Sequence, residues 1–238
     1  MPKAVILAAG RGTRMKDLTI AAPKPMLTAG GRPILEHLLE RLIAACYSEA
    51  LIVTGYRAEA IEDYFRDYRF PLHFLRQAPI DGTATAALLA RQFVGQDDFL
   101  LTFGDILADA PCYREVLDKL RREPRLEAVL GVRDVDDPYR GAAVYADPDG
   151  RVTRIVEKPP QGQSTTRWNS AGIYAFRPSL FDELERAPRS SRGEYELTNA
   201  ISQSIDKGKL LTIFPIEGRW RDIGRPEDLE AENGPSVA

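Results

Sequence analysis

The stretch Ala4-Val-Ile-Leu-Ala-Ala-Gly-Arg-Gly-Thr-Arg14 constrains this chain more than any other part of it. Ala4 to Ala8 is a continuous apolar run with no polar alternation, which reads as a strand buried on both faces. The run ends in Gly10-Arg11-Gly12, a turn that leaves backbone N–H groups uncovered at one point, where phosphate oxygens can be cradled. Arg14 adds a planar bidentate donor, and Lys24, held in Pro23-Lys24-Pro25, adds a mobile point charge. Together these residues read as a site for a nucleoside triphosphate. It is not a dinucleotide fingerprint, because position 15 is Met rather than Gly, and no G-x-x-x-x-G-K-[ST] run occurs in the chain.

The remaining pattern sets the fold. Helical spacing over Pro33–Cys46, Ala58–Tyr68, Thr85–Phe93 and Cys112–Arg122 alternates with strand-like runs at Ala50–Thr54, Leu72–Leu75, Phe99–Phe103 and Glu127–Val132. This βαβα order predicts a parallel sheet covered on both faces. The second half differs: short strands at Ala142–Tyr145, Val152–Glu157 and Ser170–Phe176 are separated by turns such as Asp147-Pro-Asp-Gly150. Helices over Ser179–Glu185 and Leu197–Lys207 and a strand at Leu210–Pro215 come after them. The predicted class is α/β, a doubly wound, mostly parallel, Rossmann-like sheet with a small antiparallel portion. Residues 1–231 are expected to form a single domain and 232–238 a disordered tail.

Composition excludes several classes. The chain has 238 residues and a net charge of −3 with both signs interspersed, so no nucleic-acid surface is expected. No apolar run approaches the length of a membrane span, and Met1-Pro-Lys leads into a strand without a signal-like apolar region. A cytoplasmic protein is expected. Cys46 and Cys112 are far apart and support neither a disulfide framework nor a zinc site, and two histidines exclude a His-rich metal site.

Further residues fall where ligands bind in open α/β sheets, beyond the carboxyl ends of strands. Asp105 comes just after the apolar run Phe99–Phe103, although a strand-end Asp also caps turns and helices. Asp222 lies in Trp220-Arg-Asp-Ile-Gly-Arg-Pro-Glu-Asp228, where a turn before a short helix is an equally ordinary reading. Gln77, in Arg76-Gln-Ala-Pro-Ile-Asp-Gly-Thr-Ala84, offers a donor and an acceptor that match the edge of uracil or thymine, and Gly82 leaves room for a base at the backbone.

The string Leu7-Ala-Ala-Gly-x-Gly-Thr-Arg-Met15, with Leu18-Thr19 and Pro23-Lys24-Pro25, resembles the signature of the sugar-1-phosphate nucleotidyltransferases, which make nucleoside-diphosphate sugars. Asp17 stands where that family often has Pro. The resemblance implies nucleotide contacts from Leu7, Ala8, Ala9, Gly10, Gly12, Thr13, Gln77, Gly82 and Thr83, with Arg14 and Lys24 as catalytic cations. It implies Mg²⁺ on Asp105 and Asp222, a pair that suits a cation sharing its shell with substrate phosphates. On the sugar-phosphate side, Glu157 and Lys158, Asn169 of Trp168-Asn-Ser-Ala-Gly-Ile-Tyr174, and Gly141 resemble family positions, though the spacing around Gly141 and Gly172 is widened by one residue. Glu194 and Thr198 match a family segment loosely. The implied partners are an NTP, with UTP or dTTP preferred, and a sugar-1-phosphate; relatives range from monomers to homo-oligomers. The alternatives are a GTP-dependent mannose-1-phosphate guanylyltransferase, CTP-dependent transfer to a phosphorylated alcohol such as phosphocholine, and a non-catalytic nucleotide-sugar sensor. No hexapeptide repeat occurs after residue 220.

Overall fold

The computed structural model describes residues 2–15 and 17–233. From the N-terminus, β1 (Lys3–Leu7), α1 (Leu18–Ala21), the two-residue strands β2 (Thr28–Ala29) and β3 (Arg32–Pro33), and α2 (Ile34–Ala44) succeed one another. Next come β4 (Glu49–Thr54), α3 (Ala58–Tyr64), β5 (Leu72–Arg76), α4 (Thr83–Leu88), α5 (Arg91–Val94) and β6 (Phe99–Phe103). The second half contains β7 (Ile106–Ala108), α6 (Ala110–Arg122), β8 (Leu126–Asp134), β9 (Ala142–Ala146), β10 (Val152–Glu157) and β11 (Trp168–Phe176). It closes with α7 (Leu180–Arg186), α8 (Leu197–Asp206), β12 (Leu210–Pro215), β13 (Trp220–Asp222) and α9 (Pro226–Asn233).

β5, β4, β1 and β6 run parallel side by side. β11 enters antiparallel between β6 and β8, and β12 lies parallel to β8. The hairpin β9–β10 joins at the start of β11, with Ala143 opposite Asn169. The expected α/β class and mostly parallel sheet are therefore present, with the antiparallel portion built on β11.

Each face of the sheet carries its own core, as continuous apolar strands require. Along β1, Ala4 and Ile6 enter the core under α2, α3 and α6, whereas Val5 and Leu7 enter the one under α4, α7 and α8. α2 fills its side with Ile34, Leu35, Leu38, Leu39 and Leu42, all wholly buried, as their 3.6-residue spacing predicts.

The differences from expectation are local. The helix expected over Thr85–Phe93 is two short helices, separated where Ala90 N donates to Ala87 O in a tighter i−3 turn. The helix from Ala58 stops at Tyr64; Tyr68 instead packs edge-on against Phe65 and donates its hydroxyl to Glu40. β7 and β13 form an antiparallel pair of three residues each that the sequence did not signal. The first two residues of the expected tail, Glu232 and Asn233, belong to α9, and 234–238 lie outside the described residues. Both cysteines are free, and no helix among the described residues is long and apolar enough to cross a membrane.

Candidate active site

β1 sits between β4 and β6, and the chain leaves it first toward one side of the sheet and later toward the other. Such a switch in strand order opens a crevice at the carboxyl edge, because the connections depart in opposite directions. A cavity of about 470 Å³ lies there. Leu7, Ala8, Ala9, Gly10, Gly12, Thr13, Arg14, Lys24, Gln77, Gly82, Thr83, Asp105 and Lys158 all line it, brought together from separate segments of the chain. Gly141, Glu157, Asn169 and Asp222 do not.

The signature loop is anchored by Met15 and Lys24. Met15 is wholly buried, and its N–H donates to Gly12 O at 2.8 Å. Gly12 takes φ +62°, and a Cβ there would lie 2.9 Å from Lys24 Cβ. The loop thus rests directly on the lysine stem. Gly10 is different: a Cβ would meet nothing within 4 Å. Its missing side chain leaves open space at the cavity and relieves no internal contact.

Lys24 is buried, and its ammonium is ion-paired with Asp105 Oδ2. Asp222 Oδ1 lies 3.8 Å from the same nitrogen. The pair β7–β13 makes this convergence: Asp222 is opposite Ile106, and Ile223 N donates to Asp105 O at 3.0 Å. Two carboxylates far apart in sequence therefore share one point. Asp222 Oδ1 is buried without a hydrogen-bond partner. Burial, and then the negative charge of Asp105, push the Asp222 carboxyl up to about 6, against the pull of Lys24 and Arg14. An unpartnered oxygen on one of two neighbouring carboxylates fits a hard divalent cation that completes its shell with phosphate and water. No group of three or more His, Cys, Asp or Glu among the described residues forms a self-sufficient metal cage. Asp228 instead holds the turn, with Oδ2 accepting from Gly224 N and Arg225 N at 3.0 and 2.8 Å.

The segment 76–84 bears on two expectations drawn from the sequence. The amide nitrogen of Gln77 donates to Gly82 O and Thr85 Oγ1, both at 2.8 Å. Its donor side is occupied within the loop, which leaves the carbonyl oxygen as the group to offer. That acceptor suits the imide N–H of uracil or thymine, and guanine N–H groups as well. Gly82, at φ +143°, is demanded by the protein's own packing: a Cβ would lie 2.1 Å from Tyr195 O. Tyr195 clasps the loop on both sides, its N–H donating to Asp81 O at 2.9 Å and its carbonyl accepting from Ala84 N at 2.8 Å. Leu197 N adds a 2.8 Å bond to Thr83 Oγ1.

Gly141 has a similar explanation. A Cβ there would lie 2.4 Å from Asn169 Oδ1, so the glycine makes room for the Asn169 amide. That Oδ1 is buried and unpartnered, while Nδ2 donates to Ser170 O. Lys158 takes φ +42°, a strained conformation for a residue with a Cβ, and its side chain lines the cavity. Glu157 lies behind it, 4.0 Å from both Lys158 Nζ and Arg192 Nη2. Burial and the nearby Glu196 raise the Glu157 carboxyl above its ordinary value.

Sequence reasoning did not single out Arg11, Ile80 or Phe103 as cavity residues, and placed Glu194 only through a loose match. The cluster behind Glu157 was also unforeseen: Glu196, buried, accepts from Ser190 Oγ at 2.7 Å and Arg192 Nε at 2.9 Å. Its only sequence signal was the recurrence of charge in Arg192-Gly-Glu-Tyr-Glu196, which an exposed loop would show equally.

The family model described as nucleotidyl transferase matches residues 3–234. The bifunctional protein GlmU of Methanococcus maripaludis is 34% identical over 97% of this chain, which corresponds to 53% of that protein. The chain thus spans about half the length of several of the curated relatives it matches. The UTP–glucose-1-phosphate uridylyltransferase AglF of Haloferax volcanii is 35% identical over 96% of this chain and 93% of its own length. A putative glucose-1-phosphate thymidylyltransferase of Bacillus anthracis superposes with a TM-score of 0.86, covering 98% of this chain and 94% of its own, at 25% identity. A UDP-glucose pyrophosphorylase complexed with UDP-glucose reaches a TM-score of 0.87 at 23% identity, covering 98% of this chain and 97% of its own, and shares the fold. With the family model spanning nearly the whole chain and relatives of 34% and 35% identity along almost all of it, this chain belongs to the nucleotidyl transferase family.

Proposed function

We propose that this protein is a sugar-1-phosphate nucleotidyltransferase that joins a nucleoside triphosphate, UTP or dTTP by preference, to a sugar-1-phosphate and releases pyrophosphate. The observation that carries this reading is the set of cations around one cavity: Arg11, Arg14, Lys24 and Lys158 line it together with Asp105, and Asp222 stands behind Lys24. Such a set suits two phosphate-bearing substrates and a divalent metal. The likeness to AglF along nearly the whole of both chains supports UTP and a hexose-1-phosphate.

In this reading an oxygen of the sugar-1-phosphate attacks the α-phosphorus in line. A P–O bond forms there, the α–β bridging P–O bond breaks, and pyrophosphate leaves with the electron pair. A phosphate monoester has a second pKa of about 6 and is already a nucleophile at neutral pH, so no side chain has to remove a proton. Catalysis then reduces to positioning and charge stabilisation. Gly10 to Thr13 present backbone N–H groups to the triphosphate, and Arg14 neutralises the departing pyrophosphate. Lys24 stabilises charge at the transferring phosphate, and Lys158, fixed by its left-handed backbone, holds the attacking one. Gln77 accepts from the base, and Glu157 and Asn169 Oδ1 accept from sugar hydroxyls. Asp105 and Asp222 would hold Mg²⁺, which supplies charge neutralisation at the phosphates.

The test is pyrophosphate release with Mg²⁺ across five NTPs and several sugar-1-phosphates, with Lys24→Ala as control. Release that requires both UTP or dTTP and one sugar-1-phosphate, and collapses by about 10²–10³ in Lys24→Ala, is expected by comparison with oxyanion-hole donors. Release only with GTP or CTP overturns the base preference and keeps the reaction class. Absence of release beside measurable nucleotide-sugar binding overturns the enzyme reading in favour of a sensor.

A further inference from the structure

Lys24 already occupies the place where a cation would neutralise the two carboxylates. Its ammonium is paired with Asp105 and stands 3.8 Å from Asp222 Oδ1. Lys24 is 6% exposed, and its Cβ is packed under Gly12, so the stem is held by the same loop that would cradle the phosphates. The carboxylate pair is also a poor site for a bare ion. It supplies two residues to a cation that takes about six ligands, and no third acidic residue, His or Cys completes a cluster among the described residues. An incoming divalent ion would have to displace the ammonium into a buried position without a counter-charge, an arrangement that is strongly unfavourable. A triphosphate removes that obstacle, because its oxygens, arriving over Gly10 to Gly12, offer Lys24 new anions and the metal its missing ligands.

We infer that Lys24 is the resident counter-ion of the carboxylate pair, so that the site rejects a free divalent cation and accepts one together with a triphosphate, onto which Lys24 transfers. The inference rests on reading Asp105 and Asp222 as the metal-holding pair. Two roles then fall to one side chain in sequence: guarding the acidic pair in the resting protein and stabilising phosphate charge afterwards. The buried, unpartnered Asp222 Oδ1 marks the position that Lys24 leaves incompletely satisfied.

The test tracks Mn²⁺ uptake, read from the paramagnetic resonance signal of the free ion, for the wild type, Lys24→Met and Lys24→Met/Asp105→Asn. Each is titrated alone and with UTP or GTP, against protein-free controls. Met keeps most of the stem packed on Gly12 and removes the charge. Without nucleotide, Lys24→Met should bind Mn²⁺ about tenfold tighter than the wild type, the equivalent of one charge-assisted hydrogen bond released. Adding Asp105→Asn should erase the gain. Nucleotide should tighten Mn²⁺ uptake far more in the wild type than in Lys24→Met. Equal or weaker binding by Lys24→Met, in a protein whose wild type takes up Mn²⁺ with nucleotide, overturns the inference and leaves the metal pair standing. No uptake by any form under any condition overturns the metal pair itself, and the inference with it. If Lys24→Met does not fold, the wild type decides: free Mn²⁺ bound as tightly without nucleotide as with it refutes the guard role.

Discussion

Two glycines of the same cavity should respond to alanine in opposite ways. At Gly82 an added Cβ would lie 2.1 Å from Tyr195 O and 2.6 Å from Tyr195 N, and φ is +143°. No side-chain rotation relieves that clash, because both neighbours are backbone. The strained dihedral alone costs about 1–3 kcal/mol. Moving the Tyr195 segment away loses its bonds to Asp81 and Ala84, and strains the Leu197 bond to Thr83, at about 0.5–1.5 kcal/mol each. Gly82→Ala should therefore lose about 3–5 kcal/mol and much of its nucleotide affinity together. At Gly10 a Cβ meets nothing within 4 Å of the protein and φ is not in the left-handed region. Gly10→Ala should keep its stability within about 0.5 kcal/mol, yet bind nucleotide at least about tenfold more weakly, because the methyl group enters the ligand's space. Urea unfolding monitored by circular dichroism gives the first quantity, and calorimetric titration with UTP gives the second. Unfolding of Gly10→Ala as early as Gly82→Ala would refute this contrast, as would wild-type stability and affinity in Gly82→Ala.

Two other substitutions test the scaffold. Arg177 donates to Leu120 O and Leu126 O, both at 3.0 Å, and to Asp98 Oδ2 at 2.6 Å, tying the end of α6 to β8 and β11; Arg177→Ala should lower unfolding stability by about 2–4 kcal/mol, measured in urea. Glu183 is buried in α7 and accepts from Lys207 and Lys209, and although burial pushes its carboxyl up, the two lysines bring it net below its ordinary 4.5. The folded value lies below the unfolded one, so its stabilisation is complete above about pH 4.5 and fades as pH falls through the folded value. Glu183→Gln should thus be less stable than the wild type by about 1–3 kcal/mol at about pH 7, with the gap narrowing below about pH 4. A gap that stays constant from about pH 7 to about pH 3 would contradict this.

Much of the architecture was legible locally. The uninterrupted apolar runs at β1 and β6 announced strands buried on both faces, and the spacing of Ile34 to Leu42 announced a helix lying on one of them. Those patterns are written in consecutive residues, where period and burial correspond directly. The signature loop, the segment 76–84 and the acidic positions were visible too, as residue types at strand ends. What the sequence did not show is that Gly82 and Gly141 are also needed inside the protein, because the atoms that would meet a Cβ belong to Tyr195 and Asn169, the first of them far along the chain.

The sequence by itself determined the elements, their order, and which chemical groups were available at their ends. Only the tertiary structure decided which of those groups meet. β7 and β13 are three residues each, too short for any periodicity to register, yet their pairing brings Asp222 to Asp105 and both to Lys24. It also decided that Gln77 turns its amide nitrogen inward, and that Glu196, which the sequence did not single out, is buried beside Arg192. The physical reason is one of range. Backbone propensity and apolar period act between near neighbours, whereas the field and the burial felt by an ionisable group are set by whichever distant segments the fold packs around it.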